Sequence, residues 1–204
     1  MKIINPATEE VLAEVHEDTK HSVEKKFNKL KAAQPRWAAF SVKERVDCIR
    51  GVNDLLQKDR DELARTLTSE MGKPIKESYN ELNGARSRIN FFIENSEKYL
   101  AEEWITNEGS TREKIVYEPL GVIANISAWN YPYLVGVNVF IPALIGGNAV
   151  IYKPSEYATL TGMHIQSLMY EAGIPEDIFE TVTGRGDVGE MLLDLPFNGY
   201  YFTG

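Results

Sequence analysis

Cysteine is nearly absent from the sequence: Cys48 is the only one, so no intrachain disulfide can form. The first residues, MKIINPATEEV, lack the apolar core of a secretory signal peptide. Because neither feature indicates an oxidising compartment, we expect a cytoplasmic protein. Positive charge is also scarce, since 22 Lys and Arg oppose 30 Asp and Glu, a net charge of −8. Nucleic-acid surfaces need clustered basic residues, so no nucleic-acid partner is expected.

Charge of either sign is missing between Glu118 and Lys153. A run this long must be buried in lipid or in protein, and a membrane helix needs only ~20 apolar residues. The lipid alternative is weak, because polar and helix-breaking residues interrupt the run. They are Asn125, Asn130, Pro132, Asn138, Pro142, Gly146, Gly147 and Asn148. The run is therefore interpreted as the buried part of a globular protein, with no membrane partner.

This stretch is predicted to form strand, turn, helix, turn and strand. Residues 122–127 and 149–152 are short apolar runs typical of strands buried on both faces. Residues 133–145 have the length of a helix, which the following Gly-Gly pair can end. A helical crossover implies parallel strands. Ligands bind outside the carboxyl ends of such strands, and the polar clusters AWNYP and KPSE follow these two.

The first hundred residues are predicted to be mainly helical. The first helix is expected to end at Pro35, because proline disrupts a helix interior. The second begins with a capping box, in which the Ser41 and Glu44 side chains each bond the other residue's backbone N–H. A long helix is predicted from Pro74 to about Trp104.

The remaining segments contain weaker signals. Residues 106–109 are turn-like, and 114–118 favour an exposed strand that is available for pairing. A helix is predicted at 160–172 and further strands at 179–183 and 199–203, the last with Tyr200, Tyr201 and Phe202 as core residues. The pattern G-x-G-x-x-G at 184–189 is weak evidence alone, because it follows the third predicted strand of the sheet instead of the first.

Three motifs in this order and spacing, NISAWNYP, PALIGGNAV and YKPSE, resemble the aldehyde dehydrogenase superfamily. Agreement extends from INPATEEVLAEV to FTG, which is nearly the whole chain. The resemblance implies an α/β fold: an N-terminal helical region packed on a partial, truncated, doubly wound parallel sheet, a Rossmann-like coenzyme-binding domain. Residues 1–204 would be the N-terminal part of that domain, without the catalytic domain. Residues 106–119 would be a β-arm for oligomerisation in a homodimer or homotetramer.

The resemblance assigns roles to individual residues. The position of Asn130 stabilises the oxyanion of the tetrahedral intermediate formed on the aldehyde. The alternative is a turn asparagine that caps the following helix. Lys153 and Glu156 match residues that hold the adenine ribose of NAD(P), as donor and acceptor. Their alternative is a Ser155–Glu156 helix start beside a solvated lysine.

Other cofactor contacts come from the same resemblance. Glu156 favours NAD, because a carboxylate near the 2′-hydroxyl repels a 2′-phosphate. NADP is the alternative, since Lys153 and Ser155 could hold a phosphate. No metal site is predicted. The further residues expected at the cofactor cleft are Ile126, Ser127, Ala128, Trp129, Gly186 and Gly204.

The family mechanism needs two groups that this sequence lacks. A cysteine thiolate attacks the aldehyde, a hydride passes to the nicotinamide, and a glutamate base activates water to hydrolyse the thioester. In the family both groups lie beyond the position of Gly204. We therefore expect the N-terminal fragment of an NAD(P)-dependent aldehyde dehydrogenase, inactive alone. The alternatives are a non-catalytic nucleotide-binding or interaction module with half the fold, and a different doubly wound reductase, against which the motifs in register argue.

Overall fold

The computed structural model describes residues 1–108 and 110–204. A β-hairpin leads into four helices, which are followed by a second hairpin and then by alternating strands and helices. The strands are β1 (Lys2–Ile4), β2 (Val11–Glu14), β3 (Glu103–Thr106), β4 (Glu113–Ile115), β5 (Val122–Ile126), β6 (Ala149–Lys153), β7 (Phe179–Thr181) and β8 (Gly199–Phe202). The helices are α1 (Lys20–Ala38), α2 (Val42–Lys58), α3 (Arg60–Met71), α4 (Ile75–Tyr99), α5 (Pro132–Ile145), α6 (Thr159–Glu171) and α7 (Gly186–Leu193), with a 3-10 helix at Glu156–Ala158.

Strands β5 to β8 form one parallel sheet in the order β7-β6-β5-β8. Successive residues of a strand point to opposite faces, so two neighbours in β7 show what covers each face. Phe179 packs on Phe140 of α5, with ring centroids 5.5 Å apart. Glu180 pairs with Lys29 of α1 at 2.7 Å. Helices therefore cover both faces, which confirms the predicted doubly wound α/β fold.

The charge-free stretch forms the centre of this fold, as predicted. Strand β6 is buried along its whole length, and β5 is buried except for its last residue, which is partly exposed. Helix α5 packs between these strands and helices α2 and α4, so its apolar residues are buried on more than one side. Helices α2, α3 and α4 thus form an outer layer over α5 and α6. No helix in residues 1–108 or 110–204 has both the length and the apolar character needed to span a bilayer.

The predicted end of the first helix is wrong. Helix α1 continues through Pro35 to Ala38. Tertiary contacts hold its last turn, because Trp37 is buried and its indole N–H donates to the Leu144 carbonyl at 2.9 Å. The capping box at the start of α2 is confirmed: the Ser41 hydroxyl accepts from the Glu44 N–H at 3.2 Å, and the Glu44 carboxylate accepts from the Ser41 N–H at 2.7 Å.

The long helix α4 also differs from the prediction, because it ends at Tyr99 and not near Trp104. Trp104 instead belongs to β3, which pairs antiparallel with β4 in a separate two-stranded sheet. Strand β4 begins one residue earlier than predicted and ends at Ile115. Gly109, the last residue of the predicted turn, lies outside the described residues.

The last strand differs in burial. Tyr200, Tyr201 and Phe202 were expected in the core, yet they are 43%, 45% and 74% exposed. Strand β8 lies at an edge of the sheet, where its main contacts are with β5. The other edge strand, β7, is buried because α1 and α6 pack against it. The expectation of a core role for these three side chains is therefore wrong for this chain.

Candidate functional site

A cleft of about 470 Å³ opens at the carboxyl ends of β5, β6 and β8. Its walls come from the loops after β5 and β6, the start of α7, and the last residues of the chain. It contains every residue that the sequence predicted for cofactor contact, namely Ile126, Ser127, Ala128, Trp129, Lys153, Ser155, Glu156, Gly186 and Gly204. The fold thus brings together, at one edge of the sheet, side chains from four separate segments.

Lys153 is the last residue of β6 and only 4% exposed, so the alternative of a solvated lysine is wrong. Burial lowers the pKa of its ammonium, while the nearby Glu156 and Asp187 carboxylates act in the opposite direction. Its Nζ donates to the Pro154 carbonyl at 3.2 Å. An ammonium has three N–H donors, so Lys153 can also bind a polar group in the cleft.

Ser155 and Glu156 begin the 3-10 helix after β6. The Ser155 hydroxyl accepts from the Tyr157 N–H at 3.3 Å, which agrees with a helix-start role for this serine. Glu156 is half-buried and lines the cleft beside Lys153. The pair therefore places one cationic donor and one anionic acceptor on the same wall, an arrangement that suits neighbouring hydroxyl groups.

The G-x-G-x-x-G segment has two different kinds of glycine. Gly184 has φ +151°, and a Cβ there would clash with Val188. Gly186 begins α7 and lines the cleft, and a Cβ there would meet no atom within 4 Å. The backbone conformation at residue 184 therefore requires glycine. At residue 186 a larger side chain would fit, because the space beside Gly186 is open.

Asn130 lies on the loop between β5 and α5, and its side chain is exposed. It is not among the residues that line the cleft, although its neighbour Trp129 is. The alternative role as a helix cap is wrong, because Tyr131 occupies the N-cap position of α5 and no side chain of the cap bonds the helix. The amide of Asn130 is therefore not consumed by capping.

Two residues that the sequence reading missed hold this loop. The Glu81 carboxylate accepts from the Tyr133 N–H at 2.7 Å and from the Leu134 N–H at 3.4 Å. It also forms an ion pair with Lys73, which donates to the Asn130 carbonyl at 2.7 Å. Burial raises the pKa of Glu81, and Lys73 opposes that rise.

Similar carboxylates hold the loops that follow β6 and β7. Glu70 accepts from the Leu160 N–H at 2.6 Å and from the Thr161 N–H at 3.0 Å. Asp18, just before α1, accepts from the Thr183 N–H at 2.9 Å. Three loops at the carboxyl edge of the sheet are thus each held by an acid from outside the sheet. Glu81 and Glu70 are buried residues of α4 and α3, and Asp18 is a partly buried residue just before α1.

The sequence contains a signal for two of these acids. Glu70 follows the buried Leu63 and Leu67 at helical spacing, and Glu81 lies between the buried Ser78 and Ala85. An acid on the buried stripe of a helix is uncommon unless it is paired, so such a position indicates a structural or functional contact.

A parallel doubly wound sheet with an open cleft at its carboxyl edge defines the class of nucleotide-binding α/β domains. Comparison of the chain with known protein families identifies which member of this class it is. The model of the aldehyde dehydrogenase family matches residues 1–204, so the chain belongs to the aldehyde dehydrogenase family, a family of oxidoreductases.

Solved structures agree with this membership. Betaine aldehyde dehydrogenase of Staphylococcus aureus, in complex with NAD⁺, is 32% identical with a TM-score of 0.88. An aldehyde dehydrogenase of Brucella melitensis is 31% identical with a TM-score of 0.88, and an NADP-dependent enzyme of Escherichia coli is 30% identical with a TM-score of 0.87. Each match covers 94% of this chain and 40% of the other. The chain therefore spans about 40% of the length of these structures.

Proposed function

We propose that these residues form the N-terminal part of the coenzyme-binding domain of an NAD(P)-dependent aldehyde dehydrogenase, which oxidises an aldehyde to a carboxylic acid. The observation that carries the proposal is the convergence of the nine expected cofactor residues in one cleft. Family membership supplies the reaction class, and the cleft supplies a place for the coenzyme. The proposed catalytic thiolate and glutamate base belong to the remainder of such an enzyme, so this chain alone is expected to be inactive.

The cleft residues fit the adenosine end of NAD(P). Lys153 offers N–H donors and Glu156 carboxylate oxygens to the two ribose hydroxyls, and the open space at Gly186 lets the backbone approach the ligand. When bound, the coenzyme supplies the hydride acceptor. The residues of this chain bind and orient it.

The carboxylate of Glu156 supports NAD as the preferred coenzyme, because it would repel a 2′-phosphate. We expect Glu156→Gln to shift the NAD/NADP affinity ratio towards NADP, measured by calorimetric titration. An unchanged ratio would remove the argument for NAD.

Lys153→Met tests whether the cleft binds the coenzyme. In titrations of the 204-residue chain, we expect the affinity for NAD⁺ to fall at least tenfold, because a charged hydrogen-bond donor is lost. Lys29→Met is the matched control, since Lys29 pairs with Glu180 on the sheet's α1 face, away from the cleft. Equal affinities of the two variants would contradict the assignment of the cleft.

Asn130 is the proposed oxyanion donor for the aldehyde. A neutral amide can donate to a developing oxyanion without a proton of its own to lose, and this amide does not cap α5. The intact mass of the native polypeptide, detected with an antibody to this region, tests the catalytic part of the proposal. We expect a mass well above the 23.0 kDa of these residues. A mass near 23.0 kDa would favour a non-catalytic nucleotide-binding module.

The proposed oligomerisation arm is the segment 106–119, which contains β4 and the last residue of β3. It carries exposed apolar side chains that a partner subunit could cover. Within the arm they are Ile115, Val116 and Tyr117, and Trp104 and Ile105 of β3 lie just before it; all five are 42–58% exposed. We expect a homodimer or homotetramer of the full-length protein. A monomer in sedimentation velocity at high concentration would contradict this assignment.

A further inference from the structure

The ammonium of Lys73 makes two contacts to the β5–α5 loop and one to Glu81 of α4. Lys73 lies in the connection between α3 and α4, and its side chain is only 14% exposed. Its Nζ donates to the Asn130 carbonyl at 2.7 Å and forms an ion pair with Glu81. The centroid of the Tyr131 ring lies 4.2 Å from the same atom, within the range of a cation–π contact.

The partner carboxylate is fixed more tightly than a surface acid. The Glu81 side chain is fully buried and accepts the N–H groups of Tyr133 and Leu134. Helix α5 begins with Pro132, which has no N–H, and its N-cap residue provides no side-chain acceptor. Glu81, a residue of α4, therefore caps α5: its carboxylate accepts hydrogen bonds from N–H groups that have no partner within α5.

The carbonyl that Lys73 binds belongs to Asn130 itself, so this contact restrains the backbone from which the Asn130 side chain extends. A peptide unit is planar, so a fixed carbonyl fixes the plane that joins Asn130 to Tyr131. That plane contains the Cα atom of Asn130, from which its amide side chain extends. The buried ion pair thus holds the backbone of the same residue whose side-chain amide is proposed to meet the substrate.

We propose that Lys73, held by Glu81, is a positioning residue that sets the orientation of the Asn130 side chain. The catalytic meaning of this inference rests on the proposed function, because it assumes that Asn130 donates to the oxyanion. The geometry it asserts is a property of this chain, and neither aldehyde nor coenzyme is needed to test it.

Nuclear magnetic resonance of the 204-residue chain provides the test. Lys73→Met removes the charge and the donors but keeps an aliphatic side chain. We expect the side-chain amide resonances of Asn130 to shift while the Tyr133 amide stays protected, because the Glu81 carboxylate can still accept its hydrogen bond. Lys73→Arg, which keeps the charge and donors, is expected to restore most of the wild-type resonances of Asn130.

The matched control is Lys26→Met. Lys26 donates to Asp18 at 2.8 Å and to the Thr181 carbonyl at 2.7 Å, so it makes the same kinds of contact at the end of β7. We expect its loss to leave the Asn130 resonances unchanged. Wild-type resonances of Asn130 in Lys73→Met, or equal shifts in Lys26→Met, would overturn the proposal.

A second variant keeps the proposal testable where Lys73→Met does not fold. Glu81→Gln retains an oxygen that can accept the Tyr133 N–H, but it removes the charge that holds Lys73. We expect Asn130 resonances to shift while the Tyr133 amide stays protected. Unshifted Asn130 resonances would overturn the proposal, whereas loss of NAD⁺ binding in the titrations above bears only on the proposed function.

Discussion

The loops after β5 and β6 are both fastened by a buried glutamate of the helical region, but only one glutamate has a cationic partner. Glu81 holds the first loop and pairs with Lys73. Glu70 holds the second through the N–H groups of Leu160 and Thr161 and through the Thr161 hydroxyl. In residues 1–108 and 110–204 the ion pairs include none with Glu70.

This difference shows what the lysine contributes. Glu70 is 4% exposed and reaches the start of α6 without a cation, so a buried carboxylate at a helix N-terminus does not require one. Lys73 is therefore not needed for capping alone. Its additional contact is the Asn130 carbonyl. In the loop that carries Glu156, the lysine that donates to a carbonyl is Lys153, which belongs to the sheet and bonds Pro154 at 3.2 Å.

The largest expected effect comes from Glu81→Ala compared with Glu70→Ala. Glu81→Ala leaves Lys73 buried without its partner, so we expect the free energy of unfolding to fall by ~3–5 kcal/mol. Glu70→Ala leaves N–H groups without an acceptor but leaves no cation unpaired, so we expect the free energy of unfolding to fall by only ~2–3 kcal/mol. Urea denaturation measures both. A larger loss for Glu70→Ala would break the comparison between the two loops.

The loop after β7 provides the next test. We expect Gly184→Ala to lower the free energy of unfolding by ~1–3 kcal/mol, because φ +151° is strained for alanine and Val188 is too close. Gly186→Ala is the control and should stay within ~0.5 kcal/mol of the wild type. Equal losses in thermal or urea denaturation would show that the two glycines do not differ in role.

The sequence predicts the sheet and the cleft well because their signals are local. The apolar runs that became β5 and β6, and the polar residues that follow them, are each continuous in the chain. The contacts of the acids that hold the loops have no such local signal, because each acid bonds a group far away in the sequence. Glu81, for example, accepts from a backbone N–H 52 residues away. The end of α1 was mispredicted for a related reason: the contact of Trp37 with Leu144 supports the turn beyond Pro35, and it spans 107 residues.

The pH dependence of stability should have opposite signs at two of these acids. Burial raises the pKa of Glu70 above its ordinary value of 4.5, so the folded state binds the proton more tightly than the unfolded state. Stability from Glu70 is then highest below 4.5 and falls as pH rises towards the shifted pKa. The destabilisation by Glu70→Gln should therefore shrink as pH rises from about 4 to 7.

Asp18 provides the comparison with Glu70, because its pKa is shifted in the opposite direction. Burial tends to raise its pKa, but hydrogen bonds from Lys26, Ser22 and Thr183 outweigh burial and lower it below 3.8. The stabilisation by Asp18 is present above 3.8 and is lost as pH falls through the lowered pKa. We expect Asp18→Asn to cost most near neutral pH, measured by urea denaturation across the same range. Parallel pH profiles for the two variants would contradict the difference between the acids.

The smallest effect is expected at Lys29, whose side chain is 41% exposed although it pairs with Glu180 at 2.7 Å. Solvent screens this pair, so Lys29→Ala should lower the free energy of unfolding by only ~0–1 kcal/mol. Comparison with Lys73→Ala in urea denaturation separates burial from pairing, because both lysines bind a glutamate. Equal losses would mean that burial of the Lys73 pair has no energetic consequence.

The hydrogen bond between Asp18 and the Thr183 N–H has a consequence for the order of folding. It joins residues 165 positions apart, so it closes a loop of most of the chain. A contact of such long range forms late, after more local contacts have been made. We expect its removal to accelerate unfolding while leaving the folding rate nearly unchanged, which stopped-flow kinetics of Asp18→Asn can measure. The wall of the cleft at Gly186 would then be the last part of the site to assemble and the first to open.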